Sequence, residues 1–504
     1  MPSYDLFKLL KQHWGYSEFR PRQQAIVEGI IGGRDAAIIM PTGGGKSLCY
    51  QLPAVAMNKT CIVVSPLIAL MQDQATQLEQ SGIRAAFLNS SLNYREQQAV
   101  RQQAERGAFQ LLYLSPERLV RDDTADWLKR VPIGFFAIDE AHCISEWGHE
   151  FRPEYRQLRL LRDVFPDKPI AAFTASATRQ VRHDIVSQLR LRDPAKFVLS
   201  FHRPNLRYII IECKGTQQEA RLEAAVKWYD EGSVIIYAPT IKSVEATTAA
   251  LNRRGVKAIA YHGQMDNDDR RRNQELWMTG EKRVLVGTIA FGLGINKPDV
   301  RAVLHLSLPK SLEQYYQEAG RAGRDGEPAD CVMLWQKKDA GLLAYFIEAI
   351  EDAAEKQRAW QRYNIVRRFV DCDQCRHRQI CVHFGETPKW ERCDACDACG
   401  ATPEWLPGAS SPIADRPAAR RPPRIVDTTP VNPGLKQRLR EWRAALAKQL
   451  IVPAFVVMHD TTLDAICRDM PRSMEDLNDI PGIGEKKAAR FGADILRLTA
   501  DAIE

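Results

Sequence analysis

The chain has 504 residues, 45% of them apolar and 26% charged, a balance that fits a soluble globular protein of about three or four domains and excludes a disordered or fibrous one. No apolar run approaches the ~18 residues of a membrane span, and the start Met-Pro-Ser-Tyr-Asp has neither the basic nor the apolar part of a secretory signal. No membrane partner is expected, and the expected location is the cytoplasm (with the nucleoid, if the source is bacterial). The net charge of +7 suits a polyanionic partner. Six of the 12 cysteines fall between Cys372 and Cys399, while the others are scattered in apolar surroundings, which points to a reducing compartment with one local metal site.

In chain order, short apolar runs alternate with segments of helical period from about residue 36 to 340. The runs 36–40, 61–65, 111–114, 135–139 and 170–174 read as buried parallel strands, and a second series follows at 233–237, 256–261, 283–286, 300–306 and 331–334. Two such series predict an α/β fold with two parallel-sheet domains in tandem. Residues 341–370 read as helical and lead into the cysteine cluster. Residues 401–434 hold eight prolines and read as an extended linker. From Leu435 onward apolar residues recur at helical spacing, so a small all-α domain is expected. The expected boundaries are 1–203 and 204–340 for the sheet domains, 341–402 for a helical zinc-binding domain, 403–434 for the linker and 435–504 for the terminal domain.

Two blocks carry chemistry. Pro41-Thr42-Gly43-Gly44-Gly45-Lys46-Ser47 follows the first apolar run, and Ile138-Asp139-Glu140-Ala141-His142 ends the fourth. In the first, glycines admit a phosphate chain to backbone N–H groups, Lys46 suits the β- and γ-phosphates, and Ser47 suits Mg²⁺. The loop departs from G-x-x-x-x-G-K-[ST] because Met40 stands at the first glycine position. Asp139 is expected to hold Mg²⁺ through water, and Glu140 is the best-placed general base. ATP and Mg²⁺ are thus expected ligands.

The surrounding residues extend this pattern. Leu10-x3-Trp14-Gly15-x3-Phe19-Arg20-x2-Gln23 precedes the phosphate loop, and the segment His142–Tyr155 (HCISEWGHEFRPEY) follows the Asp-Glu pair. Thr174-Ala175-Ser176-Ala177-Thr178 ends the fifth apolar run. Further on come Gly287–Pro298 and Gln317-Glu318-Ala319-Gly320-Arg321-Ala322-Gly323-Arg324. Over the whole α/β region the chain resembles the RecQ family of superfamily 2 DNA helicases. The resemblance implies that the sheet domains are RecA-like and that Tyr16, Arg20 and Gln23 contact adenine. It also implies that the aromatic loop, with Trp147, His149, Phe151 and Arg152, binds single-stranded DNA and couples it to hydrolysis. Gln317, Arg321 and Arg324 would act on the triphosphate from the second domain, with Arg324 as arginine finger. Spacing three apart is expected to place the two arginines on one helix face. The run Arg270-Arg271-Arg272, by contrast, reads as a solvated helix face.

Cys393-x2-Cys396-x2-Cys399 offers three thiolates, and a tetrahedral Zn²⁺ needs a fourth ligand. Resemblance to RecQ zinc domains selects Cys375; by spacing alone Cys372, Cys381, His377 and His383 compete. The last seventy residues resemble the HRDC domain of the same family, whose hairpin Ile480–Lys487 has N–H groups that could take a phosphate. Here only the proline-rich linker separates cysteines and HRDC-like domain, where RecQ proteins usually carry a winged helix. The expected activity is 3′→5′ DNA unwinding driven by ATP, in repair or recombination, by a monomer acting on single-stranded and tailed or forked DNA. Protein partners would come through the HRDC-like domain or linker. The nearest rival is a DNA-stimulated translocase or annealing remodeller with little unwinding.

Overall fold

Among the residues that this computed structural model describes (4–148, 150–289, 291, 297–406, 433–450, 454–458, 460–480 and 482–502), thirteen strands build two all-parallel sheets. The first sheet contains β1 (Ala36–Ile39), β2 (Thr60–Val64), β3 (Ala85–Leu88), β4 (Leu111–Leu114), β5 (Ile133–Ile138), β6 (Ile170–Thr174) and β7 (Ala195–Val198). Their order is β3-β4-β2-β5-β6-β1-β7. The second contains β8 (Leu206–Glu212), β9 (Ser233–Tyr237), β10 (Ala258–Tyr261), β11 (Val284–Gly287), β12 (Val300–His305) and β13 (Ala329–Trp335), in the order β10-β11-β9-β12-β13-β8. Every residue of β1, β2, β4, β5, β6, β9, β11 and β13 is buried, because helices cover both faces of a parallel sheet; this is why those strands read as unbroken apolar runs.

The three strands that apolar runs do not reveal, β3, β7 and β8, all lie at sheet edges. In β7 exposed and half-buried positions alternate, with Lys196 facing out, so an edge strand shows no continuous apolar signal. Past the second sheet, helices Lys337–Glu348, Ala353–Asp371 and Arg376–His383 form the expected helical region. They share the core of both sheets: Phe384 stacks on Phe201 at 4.4 Å, and Phe369 lies 5.7 Å from Tyr315.

The described chain divides into two compact units. Phe19–Thr402 holds both sheets and the cysteine cluster; Asp5–Glu18 groups with the residues from Pro403 onward. This second unit contains helix Leu6–Trp14, and its helices Pro433–Leu450, Asp460–Asp469, Met474–Asp479 and Glu485–Ala500 enclose a core of Leu435, Leu439, Leu463, Ile466, Leu477 and Ile495. The hairpin N–H groups expected to be open to a phosphate are partly taken: Gly482 N–H donates to the Gly15 carbonyl at 3.2 Å. A Cβ on Gly15, which has φ +72°, would stand 2.6 Å from Gly482 Cα, so this approach of two backbones requires glycine. Most of the proline-rich linker, His149, and several residues of Gly287–Pro298 lie outside the described residues.

Candidate functional site

The phosphate loop leaves β1 at the carboxyl edge of the first sheet and ends at helix Leu48–Met57. Gly43 and Gly45 have φ of +78° and +82°, so the turn that Met40 cannot assist is made by glycine in the left-handed region. A Cβ on Gly44 would lie 2.6 Å from Met40 Cγ, which closes the loop to any larger residue there. Lys46 Nζ sits 3.8 Å from Glu140 Oε1, both side chains largely shielded. Glu140 has φ +46°, a strained value for a non-glycine residue.

Asp139 is buried, and burial, followed by repulsion from Glu140 and against the pull of Lys46, raises its carboxyl to about 6. His142 Nδ1 lies 3.2 Å from Glu140 Oε2 and 2.9 Å from Thr174 Oγ1. Burial would lower this imidazole, but Cys143 and hydrogen bonds with Glu140 and Glu150 hold it well above its ordinary value. Ser47 Oγ accepts from Gln74 Nε2 at 3.3 Å, and Gln74 Oε1 in turn accepts from the hydroxyls of Tyr50 and Tyr113 at 3.0 Å. Gln74 escaped the sequence reading because no motif marks it.

The second sheet domain meets this loop directly. Thr42 Oγ1 donates to the Gly320 carbonyl at 3.0 Å, and Gln317 Nε2 donates to Ser176 Oγ at 2.9 Å. The expected shared helix face for Arg321 and Arg324 is not found. Helix Leu312–Ala319 stops before them, since Gly320 ends it and Gly323 takes φ +54° with its N–H bonded to Val300 O. Both arginines lie instead in the turn that follows, where Arg321 bonds the Tyr237 hydroxyl and Arg324 packs beside Gly43.

Arg203, also missed, ties the two parts together. It donates to Thr42 O at 3.0 Å, Ala322 O at 3.1 Å and Gly323 O at 3.0 Å. Burial, then Arg321 and Arg203, pull the Arg324 guanidinium down to about 9. So many cations around one loop describe a place built for a polyanion. A cleft of about 450 Å³, lined by Arg20, Thr42, Gly43, Arg203, Asn205 and Arg324, opens there.

Arg20 and Gln23 are part of the same wall. Arg20 donates to Gly43 O, and the buried Gln23 amide donates to Gly44 O and Gly45 O at 3.2 and 3.3 Å. Tyr16 belongs to the second unit and is 48% exposed. In the loop after β5, Trp147 is 49% exposed, Phe151 lies under the Arg156 guanidinium at 5.2 Å, and Arg152 Nη1 donates to Pro66 O at 3.2 Å.

The structure brings Cys375, Cys393, Cys396 and Cys399 together, their sulfurs all within 4.8 Å of one another. Tetrahedral Zn–S bonds of about 2.3 Å require sulfurs about 3.8 Å apart, and the Cys375–Cys396 and Cys393–Cys399 pairs stand at 4.0 Å. Hydrogen bonds from Cys393 and Cys396 hold the Cys375 thiol down at about 3, while Cys375 and Cys396 push Cys393 up; four clustered sulfurs of this kind are a donor set that fits a dication. Of the competitors, His377 bonds Leu206 O at 3.0 Å and His383 bonds Glu313 at 2.6 Å. Cys372 and Cys381 are not in the cluster. N–H groups of Arg376 and Ala395 point at Cys396 and Cys393 sulfurs, each at 3.4 Å.

Comparison with known proteins gives four family matches: DEAD/DEAH box helicase over 20–184, helicase conserved C-terminal domain over 217–326, RecQ zinc-binding over 337–400 and HRDC domain over 432–499. The ATP-dependent DNA helicase RecQ of Haemophilus influenzae is 41% identical over 79% of this chain and 64% of its own length. That of Bacillus subtilis is 39% identical over 78% and 66%. The chain therefore spans somewhat less than two thirds of these relatives. It spans 72% of the putative ATP-dependent RNA helicase R290 of Acanthamoeba polyphaga mimivirus, at 37% identity. The fold is shared with the DUF1998 helicase MrfA bound to DNA (TM-score 0.56, 18% identity, 67% of this chain and 52% of that one). It is also shared with S. cerevisiae Dbp5 bound to RNA and ADP BeF3 (TM-score 0.54, 17% identity, 72% and 96%).

Proposed function

Because the chain belongs to the RecQ family of helicases, we propose that it is an ATP-dependent DNA helicase moving 3′→5′ on single-stranded DNA. The observation that carries this reading is the stapling of the arginine-bearing turn to the phosphate loop through Arg203 and Thr42. Hydrolysis at such a seam is felt by both sheet domains at once, which is what a motor needs.

Each residue then has a task. Loop N–H groups of residues 42–47 and the Lys46 ammonium hold the triphosphate. Ser47 and Asp139 hold Mg²⁺, which when bound neutralises phosphate charge. Glu140 orients a water and takes its proton, with His142 bridging Glu140 to Thr174. Arg321 and Arg324 stabilise the charge that develops in transfer, and Gln317 relays their position to Ser176. Tyr16, Arg20 and Gln23 meet the base; Trp147, His149, Phe151 and Arg152 meet the DNA strand. Cys375, Cys393, Cys396 and Cys399 hold a structural Zn²⁺. The working form is a monomer, with domain limits at 203, 340, 402 and 434 and no winged helix between the cysteines and the terminal helices.

The test is ATP-driven separation of a duplex with a 3′ single-stranded tail, beside a 5′-tailed control and an RNA duplex. Separation of the 3′-tailed DNA alone is expected. Hydrolysis stimulated by DNA without separation would favour the translocase reading, and preference for RNA would overturn the substrate.

A further inference from the structure

Glu146 precedes Trp147 in the loop between β5 and helix Pro153–Gln157, and its carboxylate is held from two sides. Arg156 Nη1 lies 2.7 Å from Oε1, and Arg358 Nη1 lies 3.5 Å from Oε2. Arg156 comes from the helix that closes the loop and rests on Phe151. Arg358 comes from helix Ala353–Asp371, far away in sequence, in the region matched as RecQ zinc-binding. Its side chain is only 18% exposed, and its Nε is fixed by Glu355 Oε2 at 2.9 Å, a carboxylate that also holds Arg362. A guanidinium already oriented and screened from water loses little freedom in gripping Glu146.

The other side of Trp147 is anchored within the first sheet domain. Ser145 Oγ donates to Asp184 Oδ2 at 2.5 Å and accepts the Trp147 N–H at 3.2 Å. The half-exposed indole thus projects from backbone clamped on either side, and Arg358 supplies the clamp that reaches it from the zinc-binding region.

We propose that Arg358 is a positioning residue that, by holding Glu146, sets the stance of Trp147 and makes the zinc-binding region part of the coupling between DNA and hydrolysis. This rests on the reading that Trp147 meets DNA. Arg358 acts through Glu146 and not on a phosphate, because its Nη1 and Nε are turned to carboxylates.

The experiment titrates single-stranded DNA against ATP hydrolysis by the full chain and by Arg358→Gln, Arg358→Lys, Glu146→Gln and the double Arg358→Gln/Glu146→Gln variant. For a half-sheltered ion pair, the DNA concentration giving half-maximal stimulation should rise about twofold to fivefold in Arg358→Gln and in Glu146→Gln. The double variant should be no worse than Glu146→Gln, which already removes the Arg358 pair together with the pair to Arg156. Arg358→Lys should recover part of the loss. DNA-free hydrolysis and the KM for ATP should stay unchanged in all four. Arg358→Gln matching the parent chain would overturn the proposal, as would a parallel fall in DNA-free hydrolysis, which marks a merely structural role. Tighter DNA coupling in Glu146→Gln would mean that Arg358 grips phosphate directly. If the unaltered chain ignores DNA, the helicase reading falls first and this one with it.

Discussion

The two sheets are the same object built twice. With β8 to β13 set against β1 to β6 in chain order, their strand orders coincide, and the first sheet adds only the edge strand β7. The chemistry at their carboxyl edges nevertheless differs in sign. After β1 come Gly43, Gly44, Gly45, Lys46 and Ser47, while after its counterpart β8 come Cys213, Lys214, Gly215 and Thr216, with one glycine and no lysine–serine pair. After β5 stand Asp139 and Glu140, and after its counterpart β12 stand Leu306 and Ser307. The second sheet contributes guanidiniums instead, on a turn set against the first sheet's loop. Topology supplies a place where ligands bind; the side chains at strand ends decide which ligand and which half of the reaction.

That division of labour can be broken from either side. The largest effect is expected for Arg324→Ala, which removes the second sheet's cation: turnover should fall about 10³–10⁵-fold while ATP still binds, as fluorescent-nucleotide titration would report. Retained turnover would return the finger role to Arg321 or dismiss it. Glu140→Gln, on the first sheet, should cost about 10²–10⁴-fold in single-turnover hydrolysis with phosphate-loop binding intact.

A subtler effect concerns pH. The Asp139 carboxyl, raised to about 6 by burial and Glu140, becomes protonated as pH falls through that value, and a protonated carboxyl is a poor Mg²⁺ ligand. Hydrolysis should therefore fall below about pH 6, and excess Mg²⁺, which binds the anion, should move the falling limb to lower pH; a limb indifferent to Mg²⁺ would exclude Asp139. The smallest effect belongs to Arg271→Ala on the second sheet domain. Arg271 and Arg272 make exposed pairs with Asp268 and Asp269, so stability and hydrolysis should change by less than about 0.5 kcal/mol.

Legibility in the sequence followed the range of the interaction. The phosphate loop and the Asp-Glu pair were readable because a few consecutive residues make the turn and present the groups. Ten strands were readable as apolar runs, the edge strand β10 among them; β3, β7 and β8, at the other three sheet edges, were not, and in β7 exposed positions alternate with half-buried ones. Arg203, Gln74 and the Glu146–Arg358 pair left no trace, since each partner is distant in the chain and neither end has a characteristic neighbour. The cysteine cluster lies between these cases: three thiols announced themselves by spacing, the family resemblance rather than spacing selected Cys375 as the fourth, and the fold gathers these four sulfurs.

By itself, then, the amino-acid order determined two strand–helix series, the loop geometry at Gly43–Ser47 and the carboxylates that face it, all consequences of local sterics and of burial periodicity. The tertiary structure alone decided that helix Leu312–Ala319 stops short of Arg321, that Arg203 binds both sides of the cleft, and that a zinc-region arginine reaches the Trp147 loop. Those outcomes depend on which charges burial brings within a few ångströms of one another, and sequence separation says nothing about that distance.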